Sequence, residues 1–577
     1  MDDNRPVTNK QRLVSAAVLV LGVAAVGGPA EAPADFVLTG GRIWTAEAAR
    51  PWAEAVATRD GRIIYVGDAA GASRHRGPKT KLFPLGGRLV VPGFDDAHIH
   101  LMSGALSLER VDLIEDQTLA AVQARVRAFA AAHPGSPWVL GRGWLYGSFP
   151  GGLPTKEQLD AAVGDRPAYM ECYDGHSGWA NSNALALAGI TKDSKDPAGG
   201  AIVRDPASGE PTGALKEAAT ALVESKIPLP GAEERYQLLL RALRLLNSQG
   251  ITSVQDAGYT PARLDADLPL MERALREGRL TVRLTVSVQM SQGDVDAPIA
   301  RAVALAKVHR GPLLRFGAVK GYVDGVIEAH TAAMLEPYSD GQGAGKPNWE
   351  PAVLDAAVTT ADRAGLQVYL HAIGDRGVRM ALDAHEAALR ANGRTDRRGR
   401  IEHIETVSPA DYTRFQALGV IASMQPLHAN PDQNNAEVWS RNIGPERAAR
   451  GFSWRNIEKA GGRLVFGSDW PVVTSDVMRG LYCAVARKTK DGTPPGGWLP
   501  ELAVSLDSAL RHYTIDGAYA SFEEAEKGSL AAGKRADLVV LSQDLFPPPP
   551  EAILKTRVLL TMVDGRVVHH DPAFPAP

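Results

Sequence analysis

Six side chains able to bind a metal ion or carry a proton stand at, or one step beyond, the ends of apolar strand-like runs. "GFDDAHIH" supplies His98 and His100, "LRFGAVKGYVDG" Lys320, "LQVYLHAIGD" His371, "RIEHIE" His403 and "RLVFGSDWPV" Asp469. Imidazole and carboxylate together are the donor set of a borderline divalent ion such as zinc. Alternate residues of a strand share a face, so Asp96, His98 and His100 are expected to point one way. Two imidazoles would then hold an ion and Asp96 would hold a ring N–H from behind. Lys320 fits poorly as an ammonium, which has no lone pair and repels a cation. It fits once CO2 has added to the amine, because a carbamate is anionic and bidentate. Asp95, in the same stretch, has no role in this scheme.

Each signal is weak alone. A pair of strand histidines is more often structural than metal-binding, and a lone strand lysine is usually an edge or surface group. Asp469 in "GSDW" could cap a helix, and His371 and His403 singly would be satisfied polar residues. Together the bland explanations become poor, because each must separately account for a polar group that ends an apolar run.

Residues so far apart in sequence need a scaffold that gathers strand ends. Helical stretches alternate with apolar runs through the middle of the chain: "ERYQLLLRALRLLNSQG" then "ITSVQDAG", "PAVLDAAVTTADRAG" then "LQVYLHAIGD". That order argues a parallel α/β architecture, and a (β/α)8 TIM-type barrel displays its strand ends at one face. Both ends of the chain read differently. "RDGRIIYVG" near the start and "VDGRVVHHD" near the finish each place Asp-Gly before a branched apolar run, the mark of a β-hairpin. One small β-sandwich assembled from both termini is expected, with "VVPG" as the hand-over to the first barrel strand.

The 577 residues, 45% hydrophobic and 22% charged, can bury a large core. A formal net charge of -3 gives no basic field for nucleic acid. Cys172 and Cys483 are the only cysteines, which excludes a disulfide framework and a cysteine-based zinc site. The N-terminus runs from basic residues (Arg5, Lys10, Arg12) through "LVSAAVLVLGVAAVGG" to small residues in "PAEAPAD". This is the order of a secretory signal, and its apolar run is short for a membrane span. A secreted or periplasmic protein, free of the membrane once the signal is cut, is expected.

In order and spacing, "VVPGFDDAHIHL", "VKGYVDG", "LHAIGDRGV", "RIEHIE", "GSDWPV" and the tail "KGSLAAGKRADLVVL" with "VDGRVV" cover almost all of the chain after the signal. They resemble the amidohydrolase superfamily, in its amidohydrolase-3 branch that includes N-substituted formamide deformylases. With the signal read at 1–34, the resemblance implies sandwich segments at 35–91 and 520–577 and a barrel at 92–519. It implies a centre of one or two divalent ions, most often Zn2+, with His98, His100 and Asp469 on one, His371 and His403 on a second, and Lys320 bridging as its N6-carboxylate. The expected reaction is hydrolysis of a non-peptide C–N bond in a small molecule by a metal-bound hydroxide, since bound metal acidifies water and polarises a carbonyl. Asp469 would serve as base and then acid.

Other residues are candidates for contacting substrate. "GRGWLYG" offers Arg142 to grip a carboxylate and Trp144 beside it. "MECYDGHSGWANSNAL" offers His176, a catalytic donor to the developing oxyanion, and Trp179. Apart from His176, loop packing explains these equally well. Tyr322 and His428 are weaker candidates, and Asp375 either backs His371 or caps a helix. Glu328 and His330 depart from relatives that carry smaller residues there. An esterase or lactonase could use the same centre, a homo-oligomer is compatible with the sequence, and a non-catalytic protein on the same barrel is disfavoured because every expected ligand is present.

Overall fold

The computed structural model describes Met1 and residues 32–577, apart from 229, 394 and 395; the signal-like segment lies outside the described residues. Eight parallel strands form the central sheet: β1 (Phe94–Ile99), β2 (Ile251–Tyr259), β3 (Arg283–Gln289), β4 (Leu314–Tyr322), β5 (Gln367–Ala372), β6 (Arg400–His403), β7 (Ile421–Met424) and β8 (Leu464–Phe466). They pair in strict sequence order, as a (β/α)8 barrel requires. The seam between β8 and β1 is closed by two backbone bonds just past the strands: Asp469 N–H donates to His98 O (2.6 Å) and His100 N–H to Trp470 O (2.8 Å). Gly467 permits the approach, since a Cβ there would sit 2.4 Å from His98 N.

The helices follow from their patterning. In Ala232–Ser248, Tyr236, Leu239, Leu240, Leu243 and Leu246 are buried along one stripe, with Glu233 and Glu234 in the first turn, where carboxylates favour the positive end of the helix dipole. The chain then turns through Gly250 at φ 82°, packed so closely on Phe94 that a Cβ would lie 2.9 Å from the ring.

The two ends of the chain build one sheet, as the sequence reading expected. Leu89–Pro92 pairs antiparallel with Leu538–Leu541, in the register Val90 with Val540 and Val91 with Val539. The Phe36–Trp44 strand pairs parallel first with Lys81–Pro84 and then with Leu89–Val90, so the sheet curls over a core that includes Leu38, Phe83, Val90, Leu538 and Leu560. Each fully buried side chain of this kind contributes about 1.5–3 kcal/mol. Both Asp-Gly pairs, Asp60-Gly61 and Asp564-Gly565, have positive φ at both positions, which is the type I′ hairpin geometry.

The sequence reading did not foresee an inserted sheet between β1 and β2. Six strands, from Val111–Asp112 to Pro211–Glu217, form it, over its own core of Val122, Trp144, Met170 and Trp179. Its helix-then-strand texture matches that of barrel repeats, and periodicity alone cannot tell the two apart.

Candidate metal centre

Lys320, His371, His403 and Asp469 converge with His100 on one cavity of about 1150 Å³ at the C-terminal mouth of the barrel; His98 lies fully buried beside them. Among the described residues, one atom each from His98, His403 and Asp469 lies within 4.8 Å of the other two. Asp469 Oδ1 is 3.4 Å from His98 Nε2 and 3.2 Å from His100 Nε2, and its Oδ2 is 3.8 Å from His403 Nδ1. The His371 ring centres 4.6 Å from that of His403. The backbone is strained at this place, with positive φ at His403 (74°), Ile404 (54°) and Asp469 (60°). Such outliers in non-glycine residues collect at functional sites.

The donor chemistry fits a cation. His98 Nδ1 lies 2.5 Å from Glu402 Oε2, so that nitrogen carries the proton. Burial pushes the His98 pKa down to about 4, so the ring is neutral and Nε2 presents a lone pair. It faces Asp469 Oδ1, another acceptor. Neither atom has a hydrogen-bond partner, and neither do Lys320 Nζ and His428 Nε2 in the same cluster. A buried unsatisfied group costs about 1–3 kcal/mol, and the facing acceptors His98 Nε2 and Asp469 Oδ1 mark a site built for something that accepts lone pairs; Lys320 Nζ, a donor as an ammonium, joins that description only as a carbamate. Burial alone would raise the Asp469 carboxyl, but the His100 imidazole at 3.2 Å helps hold it well below the usual carboxylate range. Burial also lowers Lys320 to about 8 and His371 to about 3.

The shell behind the ligands differs from the sequence reading. Asp96 does not hold an imidazole; its carboxylate accepts from Ser468 N (2.8 Å) and Ser468 Oγ (2.5 Å) and so anchors the loop that carries Asp469. The ring N–H of His98 is held by Glu402, which Arg400 grips with two bonds, Nε to Oε1 (2.9 Å) and Nη2 to Oε2 (3.1 Å). Asp375 does not touch His371 but accepts from Leu335 N (2.8 Å). The carboxylate near His371 is Asp324 (3.7 Å), fixed by the backbone N–H groups of Ile373, Gly374 and Ala333. Glu402 adjoins a noted histidine and Asp324 closes "VKGYVD" four residues past Lys320, but neither position reveals its partner.

Of the substrate candidates, Arg142, His176, Tyr322 and His428 line the cavity. Arg142 Nη2 donates to Val472 O (3.1 Å), which ties the inserted sheet to the loop after Asp469. His176 Nδ1 meets Glu217 Oε2 at 3.0 Å. Burial opposes its protonation, yet Glu217 and Asp174 raise its pKa overall, which keeps a proton on the ring. Trp144 and Trp179 are not cavity residues. Both are buried in the inserted sheet, their indole N–H groups donating to Met170 O (2.9 Å) and Thr155 O (2.8 Å), and both stack edge-on against Phe149. Glu328 is a cavity wall residue outside the metal cluster; it accepts from Tyr173 Oη and from Asn434 Nδ2. Glu405, unremarked in the sequence, lines the same cavity and accepts from Trp439 Nε1 (2.7 Å). Burial raises both carboxyls, Glu328 to about 7.

Residues 82–569 match the amidohydrolase family. The chain belongs to that family. This amidohydrolase is 34% identical over 558 residues to the protein LONG AFTER FAR-RED 3 of Arabidopsis thaliana, an alignment covering 94% of this chain and 92% of the relative. It is 31% identical over 555 residues to the N-substituted formamide deformylase of Arthrobacter pascens, covering 92% and 97%. The crystal structure of an uncharacterized metal-dependent hydrolase from Pyrococcus horikoshii OT3 superposes with a TM-score of 0.69 at 26% identity, covering 89% of this chain and 99% of that one. Among the described residues of this amidohydrolase, no helix is long and apolar enough to cross a membrane.

Proposed function

We propose that this amidohydrolase hydrolyses a non-peptide C–N bond, of amide or formamide kind, in a small molecule, using one or two zinc ions. The observation that carries the reading is the pair of unpartnered acceptors, His98 Nε2 and Asp469 Oδ1, facing each other at 3.4 Å. The likeness to a formamide deformylase supports the bond type. His98, His403 and Asp469 would hold one ion, with His100, His371 and Lys320 completing the set. Bound zinc acidifies water and polarises a carbonyl. Asp469 takes a proton at its carboxylate and returns it to the departing nitrogen. His176, which gives Nδ1–H to Glu217, would donate from Nε2 as the imidazolium that Glu217 and Asp174 favour, to the oxygen that gains charge, and Arg142 and Tyr322 bound the space the substrate fills. Lys320 would join the ligand set as a carbamate: its unpartnered Nζ first gives up one proton, the free amine then adds to CO2 and loses a second, and a repelling cation becomes an anion with two oxygens to offer. The order of charged, apolar and small residues at the N-terminus supports export, which N-terminal sequencing of the mature protein tests.

The deciding experiment is metal content of the purified protein, followed by N-formyl, N-acyl and lactone substrates with and without chelator. Chelator-sensitive release of amine from the first two supports the reading. Chelator-insensitive activity without bound metal overturns it, and turnover of lactones alone moves the reaction to an ester bond. Reloading of stripped protein should also depend on bicarbonate.

A further inference from the structure

Asp95 has no place among the metal ligands, yet it is buried in β1 one residue from Asp96. Its carboxylate is the second link of a continuous buried chain. Lys527 Nζ donates to Asp95 Oδ2 (2.5 Å). Gln255 Nε2 donates to Asp95 Oδ1 (3.1 Å), and Gln255 Oε1 accepts from Arg400 Nη1 (2.5 Å). Arg400 then holds Glu402 with two bonds, and Glu402 takes the N–H of His98. Lys527, Asp95, Gln255, Arg400, Glu402 and His98 are all buried.

Donor and acceptor alternate along the whole chain, so its direction is set. The amide of Gln255 turns its oxygen to a guanidinium and its nitrogen to a carboxylate, and the reverse would put like partners together at both ends. Two cations and two carboxylates alternate along it, and at its far end Lys527 also faces Glu523 (3.5 Å), which is paired with Arg315 (2.8 Å). The lone pair of His98 is left as the open end. Buried charges persist only when paired, and removing one partner leaves the next uncompensated.

We propose that Lys527 and Asp95 are positioning residues of the metal centre. Acting through Gln255, Arg400 and Glu402, they hold His98 with its proton on Nδ1 and its lone pair toward the ion. The inference rests on the metal-centre reading above. It also makes the C-terminal segment, which supplies Lys527, part of the metal-binding apparatus, although that segment contacts no ligand directly in this chain of bonds.

The test is zinc affinity of the full-length protein, measured by competition with a chromophoric chelator, for wild type, Lys527→Met, Lys527→Arg and Asp95→Asn. Melting of each metal-free protein gives the separate readout of folding. Substituting partners behind a ligand weakens metal binding by about 10–100-fold. Lys527→Met and Asp95→Asn should each weaken zinc by about tenfold or more, and Lys527→Arg should recover most of the loss. Wild-type zinc affinity in Lys527→Met, or equal losses in the Met and Arg variants, overturns the proposal. So does a variant pair that fails to fold, which would make the contact structural alone. If wild type itself binds no zinc, the metal-centre reading fails first, and the two failures are told apart.

Discussion

Glu402 Oε2 lies 2.5 Å from His98 Nδ1 across 304 residues of sequence, and that contact decides which nitrogen of His98 is left to meet an ion. A carboxylate behind a ligating imidazole fixes the tautomer and raises the basicity of the other nitrogen. Glu402→Gln keeps the shape and removes the charge. Zinc affinity should fall about 10–100-fold, read by chelator competition, and Arg400, left without its anion, should lower the melting temperature of the metal-free protein as well.

Asp469 is ionised, faces His98, His100 and His403, and follows directly on the seam. Asp469→Asn retains a ligating oxygen and loses the ability to carry a proton. Turnover should drop by about 10²–10⁴-fold, the usual share of general acid–base catalysis, while metal analysis still finds bound ion. A variant with wild-type kcat would remove Asp469 from the proton path.

His385 is buried against Gly399, where a Cβ would lie 2.4 Å from its ring. Burial lowers its pKa to about 4 from an ordinary value of 6.5. A depressed histidine pKa contributes stability that is present above the unfolded value and lost as pH falls toward the folded one, because the unfolded chain takes up the proton first. Between pH 6.5 and 4 the native state should therefore lose roughly 3 kcal/mol from this group. In denaturant unfolding of the metal-free protein, His385→Leu should flatten that part of the pH profile relative to wild type.

Trp179 separates a packing residue from a substrate residue. Its indole is fully buried and bonded to Thr155 O. Trp179→Ala should cost about 3–5 kcal/mol of stability, seen in equilibrium unfolding, with KM close to wild type at a temperature where the variant is folded. A large rise in KM with unchanged stability would return the residue to the substrate.

These contrasts show where the sequence is legible. His98, Lys320, His371, His403 and Asp469 were readable because each breaks an apolar run at its end, and barrel topology needs nothing further to bring strand ends together. Glu402 was not, because it sits inside the short strand β6 and its function depends on a partner from β1 that no local pattern reveals. Asp96 shares a face with His98 as expected, but that face meets the loop after β8, so its lone pairs go to Ser468. The inserted sheet escaped for a different reason: strand and helix periods are the same inside a barrel and outside it. Trp144 and Trp179, read as loop residues near the site, are the core of that sheet.

The barrel seam carries a consequence for how the protein is made. The backbone bonds that close it join His98 and His100 to Asp469 and Trp470, the same neighbourhood in which the metal ligands meet. During synthesis His98 leaves the ribosome long before Asp469, and contacts so distant in sequence are slow to form. A prematurely ended chain that stops short of Asp469 has neither a closed barrel nor a complete ligand set. On the proposed ligand set, metal capture would therefore wait until synthesis has passed Trp470.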